Sequence, residues 1–234
     1  MELNSNTKIL IVGLGVMGGS YAKALTKKGY KIKAIDISQK TIDYALENKL
    51  ISYGTTEVEP SLVSEADIIV FALYPHTFKK WITDYQKYFR PGIIITDVTG
   101  VKGCIVYDIQ SILREDVEFI AAHPMAGRER SGIEYSDDKV FIGANYIVTP
   151  TAKNTRQAIE LCKTLGSELG FKKISEITPE LHDEMIAFLS QLTHCIAVAL
   201  MTAGENPSLR DYSGDSFRDL TRIAKINDEM WSEL

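Results

Sequence analysis

Gly13-Leu14-Gly15-Val16-Met17-Gly18 has the G-x-G-x-x-G spacing, and Asp36 follows Gly18 by 18 residues. In such a loop the first glycine permits a tight turn, the second lets backbone approach a pyrophosphate, and the third lets a helix pack close to a strand. Phosphate would then rest on unpaired N–H groups at the positive end of the helix. Asp36 is placed to hold a ribose 2′-hydroxyl, which favours NAD over NADP: a carboxylate repels a 2′-phosphate, and no arginine follows nearby. A lone glycine loop is weak evidence, since it also makes an ordinary β–α turn, so the surrounding elements must decide.

Three further groups of residues have chemical potential. His123 follows a predicted strand, where a neutral imidazole could take a proton from a substrate hydroxyl as hydride departs. The plain alternative is a histidine that anchors the next loop. Asp183, Ser190 and His194 fall within one narrow stripe at 100° per residue, which leaves His194 open as a polar-face or a core histidine. Arg218 and Arg222 stand four apart on one predicted helical face and could present two guanidinium groups to carboxylates. They could equally form surface pairs with Asp215, Asp219 or Glu229, which are worth little energy. Arg128, Glu129 and Arg130 read most simply as a solvated loop, and so does His76.

The elements that must position these residues follow from apolar patterning. Residues 9–12 form a buried strand, 21–28 a helix closed by Gly29, and 30–35 a second strand ending at Asp36. Ser38 caps a helix through Asn48, and the stretch to Val63 reads as a connection. Residues 67–73 form a strand that Tyr74-Pro75 ends at the carboxyl edge of the sheet, which makes Leu73 and Pro75 candidates for the cofactor side. Strands follow at 93–97, 117–122, 145–149 and 171–174, with a helix from Thr151 to near Gly170 and a loop over 128–136. This alternation predicts an α/β fold: a Rossmann-type, doubly wound, mostly parallel sheet over residues 1–176. At Thr178-Pro179-Glu180 a long apolar helix begins, carrying Leu181, Met185, Phe188, Leu192, Ile196 and Ala199 at helical spacing. A small all-α domain over 177–234 is expected, and its apolar face needs a second surface, which points to a homodimer.

Composition narrows the function classes. A net charge of -5 gives no electrostatic case for nucleic acid or an anionic membrane. No uninterrupted apolar run approaches the ~20 residues of a membrane span, so none is expected. The amino terminus lacks the regions of a signal peptide, and Cys104, Cys162 and Cys195 are odd in number and offer no metal pattern. A cytoplasmic protein with reduced thiols is expected.

Taken together, the glycine loop, Asp97-Val98-Thr99-Gly100-Val101-Lys102, His123-Pro124-Met125-Ala126-Gly127-Arg128-Glu129-Arg130-Ser131-Gly132, Leu181-His182-Asp183, and Phe217-Arg218-Asp219-Leu220-Thr221-Arg222-Ile223-Ala224 with Met230-Trp231 resemble one family. It is the prephenate and arogenate (cyclohexadienyl) dehydrogenases of tyrosine biosynthesis, and the resemblance runs over residues 8–234. It implies NAD-dependent oxidative decarboxylation of prephenate to 4-hydroxyphenylpyruvate. His123 matches the family's catalytic histidine, Arg222 its substrate-carboxylate arginine, and His194 a helical histidine near the substrate side chain. Trp231 falls where relatives approach the pocket, and Arg218 and Glu129, inside the same motifs, are carried as substrate-side candidates. Two positions depart from the pattern. Gly100 stands where many relatives have a serine bonded to the catalytic histidine, which makes Thr99 the candidate to supply a hydroxyl. Gln191 stands where some relatives carry a histidine, which leaves prephenate against arogenate open. Relatives also continue past Met230-Trp231 with more helices, so the chain is expected to stop short of the family's usual length. The rivals are a β-hydroxyacid dehydrogenase, which would leave His123-Pro124 unexplained, and a non-catalytic NAD-binding or sensing protein.

Overall fold

The computed structural model describes residues 3–127, 130–204 and 207–225. Its first half alternates β1 (Ile9–Val12), α1 (Val16–Lys27), β2 (Ile32–Ile35), α2 (Gln39–Glu47), β3 (Tyr53–Thr55), α3 (Pro60–Glu65), β4 (Ile68–Phe71), α4 (Pro75–Tyr85) and β5 (Ile94–Asp97). Then come α5 (Gly103–Ile112), β6 (Glu118–Phe119), β7 (Ala121–Met125), β8 (Asn145–Thr149), α6 (Arg156–Leu169) and β9 (Lys173–Glu176). The helical region consists of α7 (Pro179–Ile186), α8 (Leu192–Thr202) and α9 (Asp215–Thr221).

Strands β1 and β4 are apolar throughout and buried on both faces, as parallel strands covered by helices must be. They sit at the centre of a six-stranded parallel sheet in the order β3-β2-β1-β4-β5-β6. This order reverses between β1 and β4, and open α/β sheets bind ligands in the crevice outside the strand ends at such a point. Alternate residues serve the two faces. Leu10, Val12, Ile69 and Phe71 pack with Phe78, Trp81 and Phe119, while Ile9, Ile11, Ile68 and Val70 pack with Tyr21, Leu25, Tyr146 and Leu165. Side-chain caps start three of the helices: Ser38 on α2, Thr155 on α6 and Thr178 on α7. Each cap is worth about 1 kcal/mol.

The fold departs from the sequence reading in several places. The stretch read as a connection holds β3 and α3, because β2 offers Tyr53–Thr55 an open edge to pair with. His76 lies in the first turn of α4, since Pro75 starts that helix instead of leading into a loop. Helix α6 begins at Arg156 rather than Thr151, with Thr155 as its cap. The strand expected over 117–122 divides. β6 ends the parallel sheet, and after Ile120 the chain enters a second sheet, in which β7 pairs antiparallel with β8 and β8 parallel with β9. His123 therefore lies within a strand, opposite Ile147, and not just beyond one.

Helices α7 and α8 run together through a π-helical segment, Ala187–Gln191, as one helix of 24 residues. Among the described residues this helix is long and apolar enough, by length and composition, to cross a membrane. The expectation that no stretch would qualify is corrected here: scattered polar residues interrupt the apolar run without lowering its average. Its apolar side, with Leu181, Met185, Phe188, Leu192 and Ile196, is exposed in the monomer, Phe188 to 68%.

Candidate active site

The crevice is built first by the turn between β1 and α1. Gly13 has φ +92, and a Cβ there would stand 2.5 Å from the Ala72 carbonyl oxygen and 2.9 Å from Leu73 Cδ2. A Cβ at Gly18 would stand 1.9 Å from the Gly13 carbonyl oxygen. Both positions are closed to any side chain. Gly15 differs: a Cβ would meet nothing within 4 Å, and the residue is exposed. It is also the N-cap of α1, which has no side-chain cap and no acid in its first turn. The outcome is an uncapped helix amino terminus behind a bare backbone turn, an arrangement suited to a pyrophosphate. Asp36 at the end of β2 accepts from Leu14 N at 2.7 Å and Ser38 N at 2.9 Å, so its carboxylate is anchored to the glycine loop. Leu73 and Pro75 follow β4, the neighbour of β1 on the other side.

A buried polar cluster stands at the end of β5. Lys102 and Asp97 are both 0% exposed and pair at 2.7 Å (Nζ to Oδ2). Burial lowers the affinity of Lys102 for its proton, and the Asp97 carboxylate acts against that shift. Asp97 also accepts from Thr99 N at 3.1 Å and, through Oδ1, from Ala122 N at 3.1 Å, which ties the β5 loop to the residue before His123.

His123 Nδ1 lies 2.8 Å from Nε2 of His182, which is fully buried in α7. On its other side His182 Nδ1 lies 2.7 Å from Asp183 Oδ1. Asp183 further accepts Lys102 N at 2.9 Å and Gly103 N at 2.7 Å, the amides that open α5. Against burial, which raises it, the His182 contact and these two amides hold the Asp183 carboxyl below its ordinary value. Burial, then the Lys102 ammonium and the His182 ring, push His123 down to about 3, with Asp183 pulling the other way. The result is an imidazole that is neutral at neutral pH, with a ring nitrogen able to accept a hydrogen bond or a proton, while the nearby ammonium opposes its protonation.

Comparison with known proteins gives two matches to family models. One describes the prephenate dehydrogenase nucleotide-binding domain, over residues 21–175, and the other the prephenate dehydrogenase dimerization domain, over 178–234. The chain belongs to the prephenate dehydrogenase family. It is 31% identical to the prephenate dehydrogenase of Bacillus subtilis over 97% of its own length, and spans 62% of that relative. Against a crystal structure of prephenate dehydrogenase from A. aeolicus in complex with hydroxyphenyl propionate and NAD+, identity is 34% and the TM-score 0.88, covering 99% of this chain and 82% of that one. Synechocystis arogenate dehydrogenase is 27% identical with a TM-score of 0.82, covering 97% and 82%. The nucleotide-binding match begins after the glycine loop, so that loop stands on its own geometry.

The structure brings together Gly13, Leu14, Gly18, Asp36 and Leu73 on one side, and His123 with Lys102 on the other. Thr99, read as the replacement for a family serine, gives its hydroxyl to Asp97 and receives Lys102 Nζ at 3.1 Å. The Nδ1 of His123 meets His182 instead. Arg222 does not continue α9: the α-helix ends at Thr221 and Arg222 opens a 3-10 turn packed on α8. Arg218 is exposed and paired with Asp215 at 3.2 Å and Ser213 O at 3.1 Å, the surface alternative weighed above. His194 donates from Nδ1 to Ser190 O at 2.8 Å, one turn back, and Gln191 closes the π segment. Glu129 and Trp231 lie outside the described residues. Sequence reasoning assigned no role to His182, although a histidine next to an acid in the first turns of a helix was a visible signal.

Proposed function

We propose that the chain carries out NAD-dependent oxidative decarboxylation of prephenate to 4-hydroxyphenylpyruvate, with His123 as the base. The observation that carries this reading is His123, neutral, with Nδ1 already bonded and beside the loop of β5, in a chain 34% identical to a prephenate dehydrogenase that binds hydroxyphenyl propionate and NAD+. The turn at residues 13–18 would seat the pyrophosphate, Val16 and Met17 would contribute first-turn amides, and Asp36 would receive the ribose hydroxyls. When bound, the nicotinamide supplies a hydride acceptor. His123 Nε2 takes the proton of the ring hydroxyl as the C–H bond beneath it breaks. The bond to the ring carboxylate then breaks, carbon dioxide leaves, and its electron pair completes the aromatic ring. Arg222, His194 and Gln191 are proposed to meet the substrate carboxylates and side chain.

The same reading divides the chain into a nucleotide-binding domain over 1–176 and a helical domain over 177–234, and pairs two copies through the exposed face of α7 and α8. The dimerization description of the matched family model and the exposed apolar residues support that pairing. A cytoplasmic location fits the free Cys104, Cys162 and Cys195.

The test is a substrate panel of prephenate, arogenate and 3-hydroxyisobutyrate with NAD, followed by NADH formation. We expect turnover of prephenate, and for His123→Asn a kcat lower by about 10²–10⁴, the usual share of general acid–base catalysis, with NAD affinity retained. Tight NAD binding with no turnover of either cyclohexadienyl substrate would overturn the reading.

A further inference from the structure

We propose that His182 and Asp183, contributed by α7, are positioning residues that set the tautomer of His123 and leave its Nε2 as the bare, proton-accepting nitrogen. This rests on the reading of His123 as base. The hydrogen bonds dictate the direction of the chain one step at a time. Asp183 is a carboxylate that accepts at both oxygens from the amides of Lys102 and Gly103, so at 2.7 Å it can only accept from His182 Nδ1. A neutral His182 with its proton on Nδ1 has an acceptor at Nε2. That atom stands 2.8 Å from His123 Nδ1, which must then carry the proton of that ring. Nε2 of His123 is left with its lone pair.

Among the described residues, the loop after β5 offers no substitute. Gly100 has no side chain, and the Thr99 hydroxyl is given to Asp97 and held by Lys102. His182 is 0% exposed, so water cannot substitute for it cheaply. The pair also crosses a boundary: His123 is on β7, whereas His182 and Asp183 belong to the helix that leads into the helical region. A competent base thus requires α7 docked on the amino end of α5.

Imidazole nitrogen NMR on 15N-histidine protein, without cofactor, reads the tautomer directly. Wild type is expected to show His123 protonated at Nδ1 and bare at Nε2. In His182→Leu the His123 signals should move away from that pattern, and kcat for prephenate should fall on the order of 10²-fold with the KM for NAD unchanged, the scale of a disabled general base. His182→Gln, whose amide oxygen can stand in for Nε2 as acceptor, should recover most of the lost kcat. An Nε2–H tautomer in wild type, as a doubly protonated His182 would impose, overturns the proposal. So does a folded His182→Leu whose His123 tautomer is unchanged. Undiminished kcat in His123→Asn would sink the base assignment separately, while the wild-type spectrum still decides whether His182 orients the ring.

Discussion

His123 carries a prediction about pH because its folded value, about 3, lies below the ~6.5 of a histidine in an unfolded chain. The unfolded chain therefore binds this proton more readily. The contribution of a neutral His123 to stability is present above ~6.5 and is lost as pH falls from there toward 3. Denaturant unfolding should show a steeper decline for wild type than for His123→Asn across that window. An NMR titration of the ring should find no midpoint between about pH 5 and 8; one near 6.5 would contradict a value held down by burial. Lys102 carries a second prediction. Lys102→Met would leave the Asp97 carboxylate wholly buried without its cation, which typically costs about 3–5 kcal/mol. Denaturant midpoints would measure that loss, and Asp97→Asn combined with Lys102→Met should be milder than Lys102→Met alone.

Glycine positions in the β1–α1 element separate folding from binding. Gly18→Ala drives a Cβ to 1.9 Å from the Gly13 carbonyl, so the turn must open and Tm should fall. Gly15→Ala meets nothing within 4 Å and should fold with Tm near wild type. In the proposed mode of NAD binding its methyl would nevertheless stand in the path of the pyrophosphate. Losing one charge-assisted hydrogen bond, ~1.5–3 kcal/mol, would weaken NAD binding roughly ten- to a hundredfold, read by titration calorimetry. Equal NAD affinity in Gly15→Ala would remove the pyrophosphate from this turn. The α7–α8 element shows what periodicity misses. A stripe drawn at 100° per residue joins Asp183, Ser190 and His194, but the π segment between Ala187 and Gln191 resets the register. Asp183 turns back to α5, while His194 bonds the Ser190 carbonyl. No side-chain pattern distinguishes an i→i+5 turn from an i→i+4 turn.

For the whole molecule, the exposed face of Leu181, Met185, Phe188, Leu192 and Ile196 predicts self-association. Burying such side chains is worth about 1.5–3 kcal/mol each, so Phe188→Asp, which also introduces a charge, should shift sedimentation equilibrium from dimer toward monomer. A wild-type monomer at micromolar concentration would argue against this face as the contact. Local physics made much of the molecule legible in advance. Buried β-branched runs marked β1, β4 and β5, the glycine spacing marked a dinucleotide turn with Asp36 beyond it, and the His123-Pro124 motif marked the residue proposed as base, because each depends on neighbours close in the chain. Tertiary structure alone decided the rest. β3 exists because β2 has an edge to fill, and β7 leaves the first sheet because β8, some twenty residues on, offers it an antiparallel partner. The partner of His123 proved to be His182, 59 positions away, and not the neighbouring loop hydroxyl of Thr99. Hydrogen-bond partnership depends on distance in space, and composition and period carry no record of which helix docks beside which strand.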